Sequence, residues 1–164
     1  MGKTAVIYGS TTGSCEAIAN TIATKLGVEA INVSSMSADT IAEHDSLILG
    51  SSTWGYGELQ DDWYDGVKVL AAADLSGKTI ALFGCGDAES YCDTFCDAIG
   101  LIYKEIEGCG AKFVGTTSKE GYTYSASAAE VDGKLLGLAL DDVNDCSNSE
   151  RKIDAWIESI KSSL

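Results

Sequence analysis

The sequence predicts an α/β domain built on a parallel sheet with helices on both faces. Three observations predict it. Unbroken apolar, β-rich runs recur at 4–8 ("TAVIY"), 46–51 ("SLILGS") and 78–84 ("KTIALFG"), as in strands buried on both sides. Segments with helical apolar spacing alternate with these runs. The chain has 164 residues, which suits one domain spanning 1–164 with a core large enough to need no disulfides or metals.

The elements follow in order. After the first strand, Ile18, Ile22 and Leu26 recur every four residues and Gly27 stops the helix. "EAINV" (29–33) is a short second strand, and "SLILGS" is the third. Residues 61–73 ("DDWYDGVKVLAAA") are helical, with a weakness at Gly66. "KTIALFG" is the fourth strand. A helix over about 93–107 buries Phe95, Ile99, Ile102 and Ile106, and the glycines of "EGCGAK" end it. "KFVG" (112–115) starts a fifth strand, and "LLGLAL" (135–140) is strand-like again. The polar stretch 116–134 lies between them, so the two are either separate strands or one strand interrupted by a long loop. "SNSE" (147–150) is a capping-box pattern ahead of the amphipathic run Ile153, Trp156, Ile157, Ile160 and Leu164. Strand alternating with helix five times gives a parallel sheet covered on both faces.

Composition excludes several classes. Apolar residues make up 45% and charged residues 22%, which is ordinary for a globular protein. Net charge is −14, with 25 acidic and 11 basic residues, so nothing is available to neutralise a nucleic-acid backbone. No apolar run approaches the roughly 20 residues that span a bilayer. "MGKTAVIYGS" enters a strand with no separate apolar region or cleavage pattern, so a cytoplasmic protein is expected. Its six cysteines then read as reduced, small apolar side chains. Cys92 and Cys96 stand four apart, but the chain's only histidine is His44 and there is no C-x2-C pair, so no metal site is expected. His44 reads as a surface residue before the third strand.

In open parallel sheets ligands bind beyond the carboxyl ends of the strands. The loops after strands one, three and four should therefore meet: 9–15, 51–60 ("SSTWGYGELQ") and 85–93 ("CGDAESYCD"). The first holds Ser10, Thr11, Thr12, Gly13 and Ser14 at the start of a helix. Hydroxyls and backbone N–H groups there hold an anion without a cationic side chain. A Walker loop is excluded by the missing Lys, and the dinucleotide fingerprint by the missing second glycine. Trp54 and Tyr91 each sit among glycines and polar residues in the other loops. They either fold back over helix ends or stack on a flat ligand. If they stack, the ligand is a planar ring system with a terminal phosphate.

Taken in order, "GSTTG", "STWGYGELQDDW", "GCGDAESY" and "GLALD" resemble the corresponding segments of flavodoxins, small FMN-binding electron carriers, over essentially the whole chain. The polar stretch after "KFVG" is similar to the loop that splits the fifth strand in the long-chain subgroup. The resemblance implies a three-layer open sandwich with a five-stranded parallel sheet of order 2-1-3-4-5, for which flavodoxin is a type example. It implies FMN as cofactor, held by Ser10, Thr11, Thr12, Gly13, Ser14 and Cys15 in the first loop. The third-strand loop would supply Ser52, Thr53, Trp54, Gly55, Tyr56 and Gly57. Cys85, Gly86, Asp87, Tyr91 and Cys96 would complete the site. The family's first loop usually continues Gly-Asn-Thr, where this chain has Gly13-Ser14-Cys15. The peptide joining Gly55 to Tyr56 would turn over on reduction, which a glycine permits.

The implied activity is low-potential one-electron transfer between redox enzymes, cycling between semiquinone and hydroquinone, rather than enzymatic turnover. The implied partners are basic-surfaced proteins such as a flavodoxin/ferredoxin reductase and low-potential oxidoreductases. They would be steered by acids near the loops (Glu58, Asp61, Asp62, Asp65, Asp87, Glu89, Asp93, Asp97, Asp141, Asp142 and Asp145). A monomer is expected, with no nucleic-acid or membrane partner. The alternative is an FMN-dependent quinone or nitro reductase on the same fold, but two aromatic rings over the cofactor leave little room for substrate. A phosphorylated receiver domain shares the architecture but needs an acidic pair after strand one, where this chain has "GSTTG".

Overall fold

Parallel strands buried on both faces send alternate residues to opposite layers, and this chain builds its two cores that way. The computed structural model describes residues 3–9, 14–54, 58–59, 61–86, 93–118, 122, 124–141 and 146–164. Its elements are β1 (Thr4–Gly9), α1 (Ser14–Leu26), β2 (Glu29–Asn32), α2 (Ala38–Ala42), β3 (Ser46–Trp54), β4 (Glu58–Leu59), α3 (Trp63–Ala72) and β5 (Thr79–Cys85), followed by α4 (Asp97–Ile106), β6 (Lys112–Val114), β7 (Thr117–Ser118), β8 (Glu130–Val131), β9 (Lys134–Leu135), β10 (Leu138–Leu140) and α5 (Ser149–Ile160). The main sheet runs β2-β1-β3-β5-β10, and its neighbouring strands are parallel. This is the expected order 2-1-3-4-5.

Ile7, Leu47, Leu49, Ile80 and Leu82 face one layer, with Trp63, Val67 and Leu70 of α3 and Ile99, Ile102 and Ile106 of α4. Val6, Ile48, Ala81 and Phe83 face the other, with Ile18 and Ile22 of α1 and Ile153, Trp156, Ile157 and Ile160 of α5. Among the described residues no helix is long and apolar enough to cross a membrane.

The fifth strand is split. Lys112, Phe113 and Val114 pair with Thr79, Ile80 and Ala81, while Leu138, Ala139 and Leu140 pair with Phe83, Gly84 and Cys85. β6 and β10 are thus two halves of one strand position along β5. The chain between them makes its own three-stranded sheet, β7-β9-β8, so the inserted segment carries structure rather than looping freely.

Several boundaries differ from the sequence reading for local reasons. Gly27 ends α1 as expected, at φ +70°, and Val28 N–H closes on the Ala23 carbonyl at 2.9 Å. α4 starts at Asp97 rather than near 93, because Cys96 takes a left-handed conformation (φ 51°, ψ 30°) that no helix interior accepts. Its apolar neighbour Phe95 is buried from outside the helix. The 147–150 pattern does not form a capping box. Asn148 holds the cap position of α5 without a side-chain bond to the helix N–H groups, and its Oδ1 instead accepts Arg151 Nη2 at 2.7 Å. Gly66 is a packing site rather than a weak point, since a Cβ there would run into Val33 and Trp63. His44 is not a surface residue: it is buried, its Nδ1 lies 2.6 Å from the Thr40 carbonyl, and its own carbonyl accepts Lys78 Nζ at 2.7 Å.

Candidate functional site at the carboxyl edge of the sheet

The parallel register lines up the strand ends. Gly9 pairs with Ser51, Ser51 with Gly84, and Ser52 with Cys85, and Cys85 with Leu140. Every residue of that row but Leu140 is small. The row is one continuous rim, and α1 begins five residues beyond the end of β1.

Each wall of the rim has an identifiable support. β3 runs four residues past Gly50 because its end is held from both sides. The indole N–H of Trp63 donates to the Gly50 carbonyl at 2.7 Å, and β4 folds back antiparallel so that Thr53 pairs with Leu59 and Trp54 with Glu58. Ser51 and Ser52 are buried, and the Ser51 hydroxyl donates to the Ser52 carbonyl at 2.9 Å. On the β5 side, Gly86 N–H donates to the Leu140 carbonyl at 3.0 Å. The Cys96 thiol points at that same oxygen from 3.9 Å. A Cβ built on Gly86 would lie 3.1 Å from the Cys96 nitrogen, so Gly86 and Cys96 meet back to back. A left-handed non-glycine residue such as Cys96 costs about 1–2 kcal/mol, so the surrounding contacts must hold it.

The thiols here are packing groups. Cys15, Cys85, Cys96 and Cys109 are not joined in disulfides. Burial pushes the Cys96 thiol well up, and neighbouring Cys85 adds to the shift, which keeps Cys96 protonated and unreactive. Cys15 is buried within the α1 layer. Its side chain therefore faces the core. At the rim end of β1, burial and a 3.0 Å bond to Glu16 raise the Tyr8 hydroxyl. That bond occupies the one acid in α1's first turn.

Of the residues expected at the site, Ser52, Cys85, Gly86 and Cys96 are brought together on this rim. The backbones of Ser14, Thr53 and Trp54 flank it. Ser10, Thr11, Thr12, Gly13, Gly55, Tyr56, Gly57, Asp87 and Tyr91 lie outside the described residues, as does Cys92. The acidic surface needs correction. Asp61, Asp62, Asp65 and Asp93 are exposed, but Asp141 is buried. Asp97 turns inward, accepting the Ala128 N–H at 2.6 Å, and burial raises its carboxyl against the pull of that bond. Neither carboxylate is part of an outward-facing patch. Sequence reasoning missed Trp63, Leu140 and Ser127 as supports. Only Trp63 carried a local signal, an aromatic at the start of a helix directly after the loop.

The donor set fits a phosphorylated planar group. The start of α1 offers backbone N–H groups to an anion. The glycines, serines and cysteine of the strand ends are small enough to let a flat group come close to the backbone. This architecture and rim define a doubly wound α/β protein, a class whose ligands bind beyond the carboxyl edge of the sheet.

Comparison with known proteins narrows that class. The flavodoxin family pattern matches residues 6–156. A flavodoxin from Picosynechococcus is 39% identical over 165 residues, covering 98% of this chain and 97% of that protein. Flavodoxin 1 of Escherichia coli is 38% identical over 168 residues, covering 100% and 96%. The crystal structure of Fusobacterium nucleatum flavodoxin bound to flavin mononucleotide superposes with a TM-score of 0.94 at 29% identity, covering 100% of this chain and 99% of that one. The chain belongs to the flavodoxin family.

Proposed function

We propose that this protein is a one-electron carrier that works through non-covalently bound FMN and is not itself an enzyme. The observation that carries the reading is the small-residue rim beside the start of α1, in a chain matched along its length by flavodoxins. FMN supplies the redox chemistry, and the chain's residues hold and tune it. The hydroxyls of Ser10, Thr11, Thr12 and Ser14, with the N–H groups of Gly13 and Cys15, take the phosphate. Trp54 and Tyr91 cover the ring faces and exclude water. Ser52, Thr53, Gly55, Tyr56, Gly57, Cys85, Gly86 and Cys96 line its edge. Asp87 and the nearby acids oppose added negative charge and so lower the potential.

The test is the visible spectrum of the purified protein and of its supernatant after heating. A yellow protein that releases FMN is expected. A colourless protein that cannot be reconstituted with FMN overturns the reading. Steady reduction of a quinone by NAD(P)H with no added reductase would instead favour the reductase alternative.

The proposed partners are basic-surfaced redox proteins met by a cytoplasmic monomer. Exposed Asp61, Asp62 and Asp65 at the start of α3, with exposed Asp93 ahead of α4, would steer them. Exposed charges are screened within a Debye length. Affinity for such a reductase is therefore expected to fall about tenfold or more as ionic strength rises through the physiological range. Calorimetric titration at several salt concentrations checks this, and salt-independent binding would refute the steering role.

A further inference from the structure

The inserted segment is tied to the entrance of α4 on both sides of Cys96. On one side, the Ser127 hydroxyl donates to the Phe95 carbonyl, and the same hydroxyl accepts the Ala129 N–H at 3.1 Å. On the other, the Ala128 N–H donates to Asp97 Oδ1 at 2.6 Å. The Phe95 ring stacks on Tyr124, with centroids 5.4 Å apart and planes at 17°, and leans on Tyr122 at 5.8 Å. Tyr122 in turn donates its hydroxyl to the Ala139 carbonyl of β10 at 2.6 Å. One turn into α4, the Ala128 carbonyl lies so close to Gly100 that a Cβ has no room there. Contact this close places residues 127–129 against α4 in one defined position.

Cys96 sits between the two tied residues, in its left-handed turn. Such a conformation persists only where the surroundings over-determine it. Cys96 also packs against Gly86, the residue that follows β5, and both reach the Leu140 carbonyl. Whatever fixes Phe95 and Asp97 therefore fixes the β5 side of the rim.

We propose that the turn at 127–129 braces the cofactor rim, with Ser127 and Asp97 as positioning residues that hold Cys96, and through it Gly86, in place for FMN. The proposal rests on the FMN reading above. Neither residue is required to touch the cofactor, and each acts through the backbone of its neighbour.

The test titrates FMN with apoprotein, following the quenching of flavin fluorescence. Amide hydrogen exchange of the apoprotein is followed in parallel at 95–99. Ser127→Ala and Asp97→Ala are each expected to weaken FMN binding about three- to tenfold, as the loss of one or two half-buried hydrogen bonds does, and to speed exchange at 95–99. Asp97→Asn keeps the acceptor and is expected to bind within about twofold of the parent protein. Thr117→Val removes a bond of similar kind elsewhere in the insertion, the 2.8 Å one to the Gly137 carbonyl. It is expected to leave the affinity unchanged. Parent-like binding by Ser127→Ala, or an equal loss in Thr117→Val, overturns the brace. If the parent apoprotein takes no FMN, the functional reading fails instead. Exchange then decides the brace alone, and unchanged protection at 95–99 in Ser127→Ala overturns it.

Discussion

Trp63→Ala is expected to lower the unfolding free energy by about 3–5 kcal/mol and to take FMN binding down with it. The side chain is fully buried, and its ring fills the space between α3 and the sheet, against Val33 and the bare backbone of Gly66. Truncation leaves a cavity bordered by Gly66, which has no side chain to relax into it. It also strips the indole N–H from the Gly50 carbonyl. That carbonyl lies where β3 passes from core to rim, so Ser51 and Ser52 lose their tether to α3. Trp63→Phe separates the two effects. It restores most of the apolar volume but not the donor, so a smaller loss of stability is expected, with cofactor affinity still reduced. Urea unfolding followed by far-UV circular dichroism, with FMN titration of both variants, checks this. An unfolding midpoint unchanged in Trp63→Ala would refute the packing role.

The parts of this fold that could be read from the sequence are those whose burial is one-dimensional. β1, β3 and β5 are covered on both faces, so their apolar runs are unbroken and mark themselves. α1 shows its buried stripe and its glycine stop in sequence. The rim followed from a rule about where parallel sheets bind ligands, which needed only the order of strands and the unusual loops. The split strand was half legible: the apolar pieces at 112–115 and 135–140 were visible, but nothing local says they share one neighbour, β5.

The remainder was set by contacts distant in sequence or by atypical local chemistry. α2 has five residues, and its capping box is completed by Thr40 rather than Glu or Gln, with Ser37 as cap. Buried Met36 and Ile41 flank that cap at the spacing of a hydrophobic staple. Phe95 continues the apolar spacing of Ile99, Ile102 and Ile106, so it read as helical, although the backbone at Cys96 breaks the helix first. The acids at 97 and 141 read as surface charge because a sequence does not show which way a carboxylate turns. Asp97 turns inward only because Ala128, 31 residues on, offers an N–H. His44 is buried for a similar reason, held by Thr40 within its own turn and by Lys78 from the start of β5.

Gly137→Ala is expected to destabilise the protein by on the order of 3 kcal/mol and to abolish tight FMN binding, although the change adds one methyl group. Gly137 has no unusual backbone angle. Its constraint is space, since a Cβ there would fall on the Leu82 carbonyl carbon and oxygen. Those are backbone atoms of β5, held in the sheet by β3 on the other side, so they cannot swing aside as a side chain would. β10 must yield instead. Its displacement breaks the pairing of Leu138, Ala139 and Leu140 with Phe83, Gly84 and Cys85. It also removes the Leu140 carbonyl from Gly86 and Cys96, and the Ala139 carbonyl from Tyr122. One methyl thus undoes the rim and the anchor of the brace together. Gly133→Ala is the matched control. Gly133 has φ +79° in open space, so alanine costs only the left-handed strain of about 1 kcal/mol and should leave FMN affinity intact. Thermal unfolding and FMN titration of the pair decide the matter: equal effects at 133 and 137 would mean that backbone conformation, not the close approach to β5, makes glycine necessary in this segment.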